Sequence, residues 1–160
     1  MEKSSYKWLK IVCVFALIFT IVWLVFYAIQ TYFVLTTGSG PGVINWDATN
    51  IGLRLTMFIV NRLLIIAIGI IVIMFIKNIL NHLKGGTIFN HRNVVLLWIL
   101  AFVLPVHAFL SDNLQYSVST DYNPPLLLTD TPFVYLIVSV IVAMLYKVAY
   151  DAAEEQKLTI

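Results

Sequence analysis

The sequence predicts an all-α membrane protein, a four-transmembrane-helix bundle with both termini in the cytoplasm, and three observations carry that prediction. Hydrophobic residues make up 61% of the 160-residue chain and charged residues only 11%, with a mean hydropathy of +0.92. A soluble domain carries roughly 25% charged residues, so the composition places the chain in a bilayer. Four apolar runs lie between polar or Gly/Pro-bearing stretches, each near or above the shortest length that crosses a hydrocarbon core. The cations are lopsided as well. Lys3, Lys7, Lys10, Lys77, Lys84, Arg92, Lys147 and Lys157 fall on the side that holds both termini and the middle connection; Arg54, with Asp47, Asp112, Asp121 and Asp130, falls on the other. Lys and Arg accumulate on the cytoplasmic side of membrane proteins, which sets a multi-pass, N-in/C-in topology.

The whole chain, 1–160, reads as a single transmembrane domain with helices at about 9–35, 53–84, 91–110 and 132–156. The run 11–35 is longer than the ~15-residue upper limit of a signal-peptide core and no Ala-x-Ala site follows, so it is expected to be a retained first helix. Gly38, Gly40, Pro41 and Gly42 break regular structure before the second helix. That helix emerges through Lys77, Asn78, Asn81 and His82 and is expected to stop at Gly85-Gly86, where glycine supplies the left-handed residue that ends many helices. Asn90 is an N-cap for the third helix, with Phe89 and Val94 placed as a hydrophobic staple. Pro105 lies inside the third helix and should free the carbonyl of Ala101. Residues 114–118 alternate weakly, which allows a short strand. Thr131 followed by Pro132 is the expected N-cap and first position of the fourth helix. Ser139 and Ala143 on that helix, and Ala67 and Gly69 on the second, offer low-profile packing surfaces.

Few residues suggest chemistry. Arg62 lies inside the second helix, where a cation must pair, face the bundle interior or snorkel. Gln30, Asn61, His107 and Asp112 sit at comparable levels of their helices, so with Arg62 they define a candidate outer polar cavity, in which Asp112 or Asp130 would pair with the arginine. The alternative is that Arg62 snorkels to headgroups while His107 makes one structural hydrogen bond. The lone Cys13 excludes an intramolecular disulfide, a Cys-x-x-Cys redox pair and a cysteine-based zinc site. His82, His91 and His107 lack metal-ligand spacing, and no nucleophile stands at an interpretable distance from a base. Neither an enzyme nor a cofactor is expected. A net charge of +2 is too small to suggest direct nucleic-acid binding.

Two motifs lie on the face assigned to the cytoplasm. Gly86-x-x-Phe89-x-x-x-Asn93 joins the second and third helices, and the chain ends Glu154-Glu155-Gln156-Lys157-Leu158-Thr159-Ile160. Together they resemble the loop signature and the characteristic ending of an uncharacterised bacterial family of small four-helix inner-membrane proteins, a domain-of-unknown-function family. Lys157 stands where that family more often has aspartate. Its members are often encoded beside a small helix-turn-helix transcription regulator. The resemblance therefore implies the bacterial cytoplasmic membrane and a regulatory partnership with such a protein, and no known activity. On that basis Gly86, Phe89, Asn93, Glu154, Glu155, Leu158, Thr159 and Ile160 form a candidate cytoplasmic partner surface; capping geometry alone is the competing explanation of the loop motif. The leading functional expectation is a membrane sensor or regulator acting with a cytoplasmic transcription regulator. The alternatives are an immunity or envelope-protection protein against a membrane-active peptide, and a small transporter or channel. Oligomeric state is open.

Overall fold

Four helices follow one another along the chain: α1 (Lys3–Thr37), α2 (Ile51–Leu83), α3 (His91–Val118) and α4 (Asp130–Leu158). The computed structural model describes the backbone of residues 3–37, 51–83, 88–118 and 126–158, and the side chains of 5–36, 51–83, 88–114 and 126–156. Each helix contains a stretch long and apolar enough to cross a membrane. At 1.5 Å rise per residue, α1 with 35 residues is ~52 Å long and α3 with 28 residues ~42 Å. All four thus exceed the ~30 Å of a hydrocarbon core and have turns to spare at their ends.

The bundle is an open one. The backbone of α1 approaches only α2, that of α2 also approaches α3, and α4 approaches α3 alone. The two central helices bury 28% and 22% of their apolar windows, whereas α1 and α4, at the ends of the row, bury 6% each. Their remaining surface is an almost continuous cover of Phe, Val, Ile and Leu, including Phe15, Phe19 and Phe26 on α1 and Val134, Leu145 and Val148 on α4. Water would penalise such a surface by about 25 cal/mol per Å². Lipid tails carry no such penalty, because they are as apolar as leucine.

α1 and α2 run antiparallel, as two clusters show. Cys13 packs with Ile76 and Ile79 at one end, with Leu9, Ala16 and Leu17 around them. Val34 packs with Phe58 at the other end, where Leu114 of α3 joins them. Midway, Gly69 faces Leu24 so closely that an added Cβ would stand 2.5 Å from Leu24 Cδ2. The missing side chain is what lets the two helices approach there. α3 and α4 are brought together in the same manner, with Ala101 and Ala143 both wholly buried. Pro105 removes the amide that would bond the Ala101 carbonyl. The Ser139 hydroxyl of α4 lies 3.4 Å from that carbonyl, while its nearest acceptor is Tyr135 O at 2.6 Å.

Several helix limits differ from those expected. α3 continues to Val118 instead of ending at 110, so 114–118 is helical and not a strand. Residues 111–118 include no glycine or proline to stop the helix, and propensity outweighs the weak alternation. α4 begins at Asp130, so Thr131 is not its cap. Pro132 is still tolerated there, because first-turn amides have no intrahelical partner. Gly85-Gly86, expected to end α2, lies outside the described residues.

Candidate functional site

Polar groups gather at two levels of the row, one around Arg62 and the other around Asn93. Asn61 and Arg62 are neighbours in sequence, but on a helix that turns 100° per residue they serve different faces. Asn61 is buried against α3, where its Nδ2 donates to Ser111 Oγ at 2.8 Å and approaches the His107 carbonyl at 3.4 Å. Ser111 Oγ lies 3.4 Å from His107 Nε2, one helical turn away. This is an interhelical tie between α2 and α3: each polar group buried by the contact finds a partner, as burial requires.

Arg62 faces the opposite way, toward α1. Its guanidinium carbon lies 4.7 Å from the Phe58 ring centroid and 5.0 Å from that of Tyr27. Aromatic faces attract a cation through their quadrupoles, most strongly when water is excluded. Neither Asp112 nor Asp130, the partners that the cavity reading would give it, pairs with it among the described residues. Asp112 instead accepts a hydrogen bond from Thr129 Oγ1, just before α4. Asp130 is exposed in the first turn of that helix. The Arg62 Nε is buried and has no hydrogen-bond partner among the described residues. Beside it, between α1 and α2, runs a groove of about 340 Å³ lined by Leu24, Tyr27, Ala28, Thr31, Ile66 and their neighbours. Gln30 is half-buried on α1 and does not line it.

Four of the five residues expected to form one cavity therefore occupy three places, and Gln30 lies apart from all of them. Asn61 and His107 join in the α2–α3 contact, Arg62 borders the α1–α2 groove, and Asp112 ties α3 to the approach of α4. One residue on, Asn113 accepts from Leu127 N at 2.8 Å and donates to Leu127 O at 3.0 Å, clamping the same segment. Sequence reasoning missed Ser111, Tyr27, Asn113 and Thr129. Only Ser111 carried a readable signal, since it stands four residues from His107 and hence on the same helix face.

At the other level, the Asn90 side chain accepts from the Asn93 amide at 2.8 Å, the N-cap bond that its residue type favours. Asn93 itself is fully buried. Its Oδ1 accepts from Asn78 Nδ2 at 2.9 Å, and its Nδ2 approaches Phe75 O at 3.3 Å, so it stitches α3 to α2. Tyr146 of α4 closes over this corner. Its hydroxyl donates to Ile88 O at 3.2 Å, and its ring meets those of Phe89 at 5.3 Å and Phe75 at 5.7 Å.

Of the expected partner surface, Asn93 is buried and Phe89 is half-buried against Tyr146. Neither side chain is presented outward in the way a contact surface requires. Glu154 and Glu155 lie on the last turns of α4, and Leu158 is its final helical residue. Gly86, Thr159 and Ile160 lie outside the described residues. His91 at the start of α3 meets Tyr150 of α4 edge-on, with 6.1 Å between ring centroids. Two further turns of α4 therefore extend past the point where α3 begins. No group of three or more His, Cys, Asp or Glu side chains placed to hold a metal ion occurs among the described residues. No family model matches the chain, and neither curated proteins nor solved structures include a similar one.

Proposed function

We propose that the chain is a multi-pass protein of the bacterial cytoplasmic membrane, with both termini inside, and that it acts as a sensor or regulator in partnership with a cytoplasmic helix-turn-helix transcription regulator. The membrane placement is supported by four spanning-length helices and an apolar exterior. The topology is supported by the bias of lysine and arginine toward one face. With Lys77 at the inner boundary, Arg62 stands fifteen residues or ~22 Å up α2, still within a ~30 Å core and near its outer edge.

The extension of α4 past the His91–Tyr150 contact carries the regulatory reading. This extension runs two turns beyond that contact and carries Asp151, half-buried Glu154 and exposed Glu155. It offers an acidic, helical handle on the face where the terminus emerges. The Lys147–Asp151 pair at its root, at 2.5 Å, is half-exposed and worth little in stability. Transport by a single copy is disfavoured, because α1 and α4 leave the row open and enclose no path among the described residues.

The test is a pull-down from detergent with the adjacent-gene regulator as prey. The full chain is compared with one ending at Asp151 and with the full chain carrying Glu154→Lys and Glu155→Lys. Recovery with the full chain and loss in both variants is expected. Equal recovery in all three, or recovery in none, contradicts a tail-mediated contact.

A further inference from the structure

We propose that the α1–α2 groove beside Arg62 is a binding site for an anionic amphiphile, an apolar chain ending in a carboxylate or phosphate. The groove has the two halves such a ligand needs. Leu24, Ala28, Leu35, Ile65 and Ile66 make most of its wall apolar. Arg62 sets a cation at its border. Its volume of about 340 Å³ falls at the lower end of the ~300–1,000 Å³ typical of small-molecule sites.

The charge balance points the same way. A guanidinium has five N–H donors in one plane and is never deprotonated in proteins. Phe58 and Tyr27 receive it through their rings, an interaction that occupies a face of the plane. Apart from the hydrogen bond to the Tyr27 side chain, in-plane donors remain for oxygen acceptors, and Nε lacks any described partner although it is buried. No described carboxylate pairs with Arg62. Tyr27 also offers its hydroxyl to Arg62, a neutral partner that brings no counter-charge, and the Thr31 hydroxyl on the wall donates to Tyr27 O at 2.8 Å. A carboxylate or phosphate matches the fork of donors bidentately and supplies the counter-charge that the site lacks. The apolar groove between α3 and α4, lined by Pro105, Phe109 and Pro132, has no comparable polar group and selects no headgroup.

In the proposed sensor this ligand would be the signal, so its biological meaning rests on that reading while the binding itself does not. The full chain is reconstituted in phosphatidylcholine nanodiscs and titrated with a dansyl-labelled long-chain fatty acid and with its neutral alcohol. Energy transfer from tryptophan reports occupancy, because Trp23 packs against Tyr27 with 5.0 Å between ring centroids. Saturable binding of the acid is expected, with the alcohol at least about tenfold weaker, a gap of ~1.4 kcal/mol. Arg62→Leu should lose that preference and Arg62→Lys should keep part of it. Ala28→Trp, which fills the groove and leaves the charge in place, should abolish binding; retained size-exclusion profiles show that the variants remain folded. Competition by phosphatidylglycerol identifies a phospholipid as a source of the headgroup, and its absence leaves the free carboxylate; both outcomes support the site.

Equal binding of acid and alcohol overturns the proposal, as does unchanged binding by Arg62→Leu. Displacement of the acid by inorganic phosphate overturns it too, by reducing the site to a simple anion contact. None of these results depends on recovery of the regulator, so loss of the lipid site and loss of the tail contact are told apart.

Discussion

Asn93 and Arg62 are both polar residues in an apolar setting, and their surroundings assign them opposite roles. Asn93 is wholly buried, with its oxygen, its amide nitrogen and its backbone amide all engaged by α2 or by the cap of its own helix. Replacing it by alanine strands the Asn78 amide and opens a small cavity. Asn93→Ala is therefore expected to destabilise the folded chain by about 1–3 kcal/mol, read as a lower thermal midpoint in detergent. Asn78→Ala in the Asn93→Ala background should then cost much less than in the wild type, because the two share one hydrogen bond. Additive losses would mean that the Asn78–Asn93 bond contributes nothing. Arg62 was conspicuous in the sequence as an intramembrane cation, yet its partners were not. Phe58 lies one helical turn before it and Tyr27 comes from another helix. Neither ring announces itself among the other aromatics, which make up 14% of the chain.

Each helix follows from local chemistry that the sequence displays, but the neighbours it packs against do not. Length and apolarity marked all four elements, and the Asn90 cap starts α3 where the residue type implies. The strand that weak alternation allowed at 114–118 did not form, because alternation over five residues is a weaker signal than an uninterrupted helix. The close approach at Gly69 was legible only as a small residue on α2; that Leu24 fills the space depends on the register of α1. Gly69→Ala forces its new methyl onto Leu24 and is expected to cost about 1–3 kcal/mol by overpacking. Adding Leu24→Ala should restore part of that loss, although Leu24→Ala alone is destabilising. If Gly69→Ala is as stable as wild type, through the better helix propensity of alanine, the helices are not in tight contact there.

The four helices form a row with two open sides, and this arrangement leaves three distinct surfaces. α1 and α4 present apolar flanks, the α1–α2 groove holds Arg62 at one border, and α4 runs on beyond α3 at the opposite end. Composition predicted four helices of spanning length, and the structure has them; charge asymmetry supplied the expected sidedness. The open packing was not legible, because apolar helices facing lipid and apolar helices facing each other have the same composition. In the proposed topology the Arg62 level and the Asn93 level of the row face opposite sides of a membrane, with the α4 extension inside. Cysteine accessibility in cells tests this most directly. In a Cys13→Ala background, single cysteines are placed at Ser5, Thr36, Leu128 and Glu155, all exposed positions, and exposed to a membrane-impermeant maleimide. Labelling of the Thr36 and Leu128 positions in intact cells, with those at Ser5 and Glu155 reacting only after permeabilisation, is the predicted result. Labelling of Glu155→Cys in intact cells, or protection of both Thr36→Cys and Leu128→Cys, would contradict it.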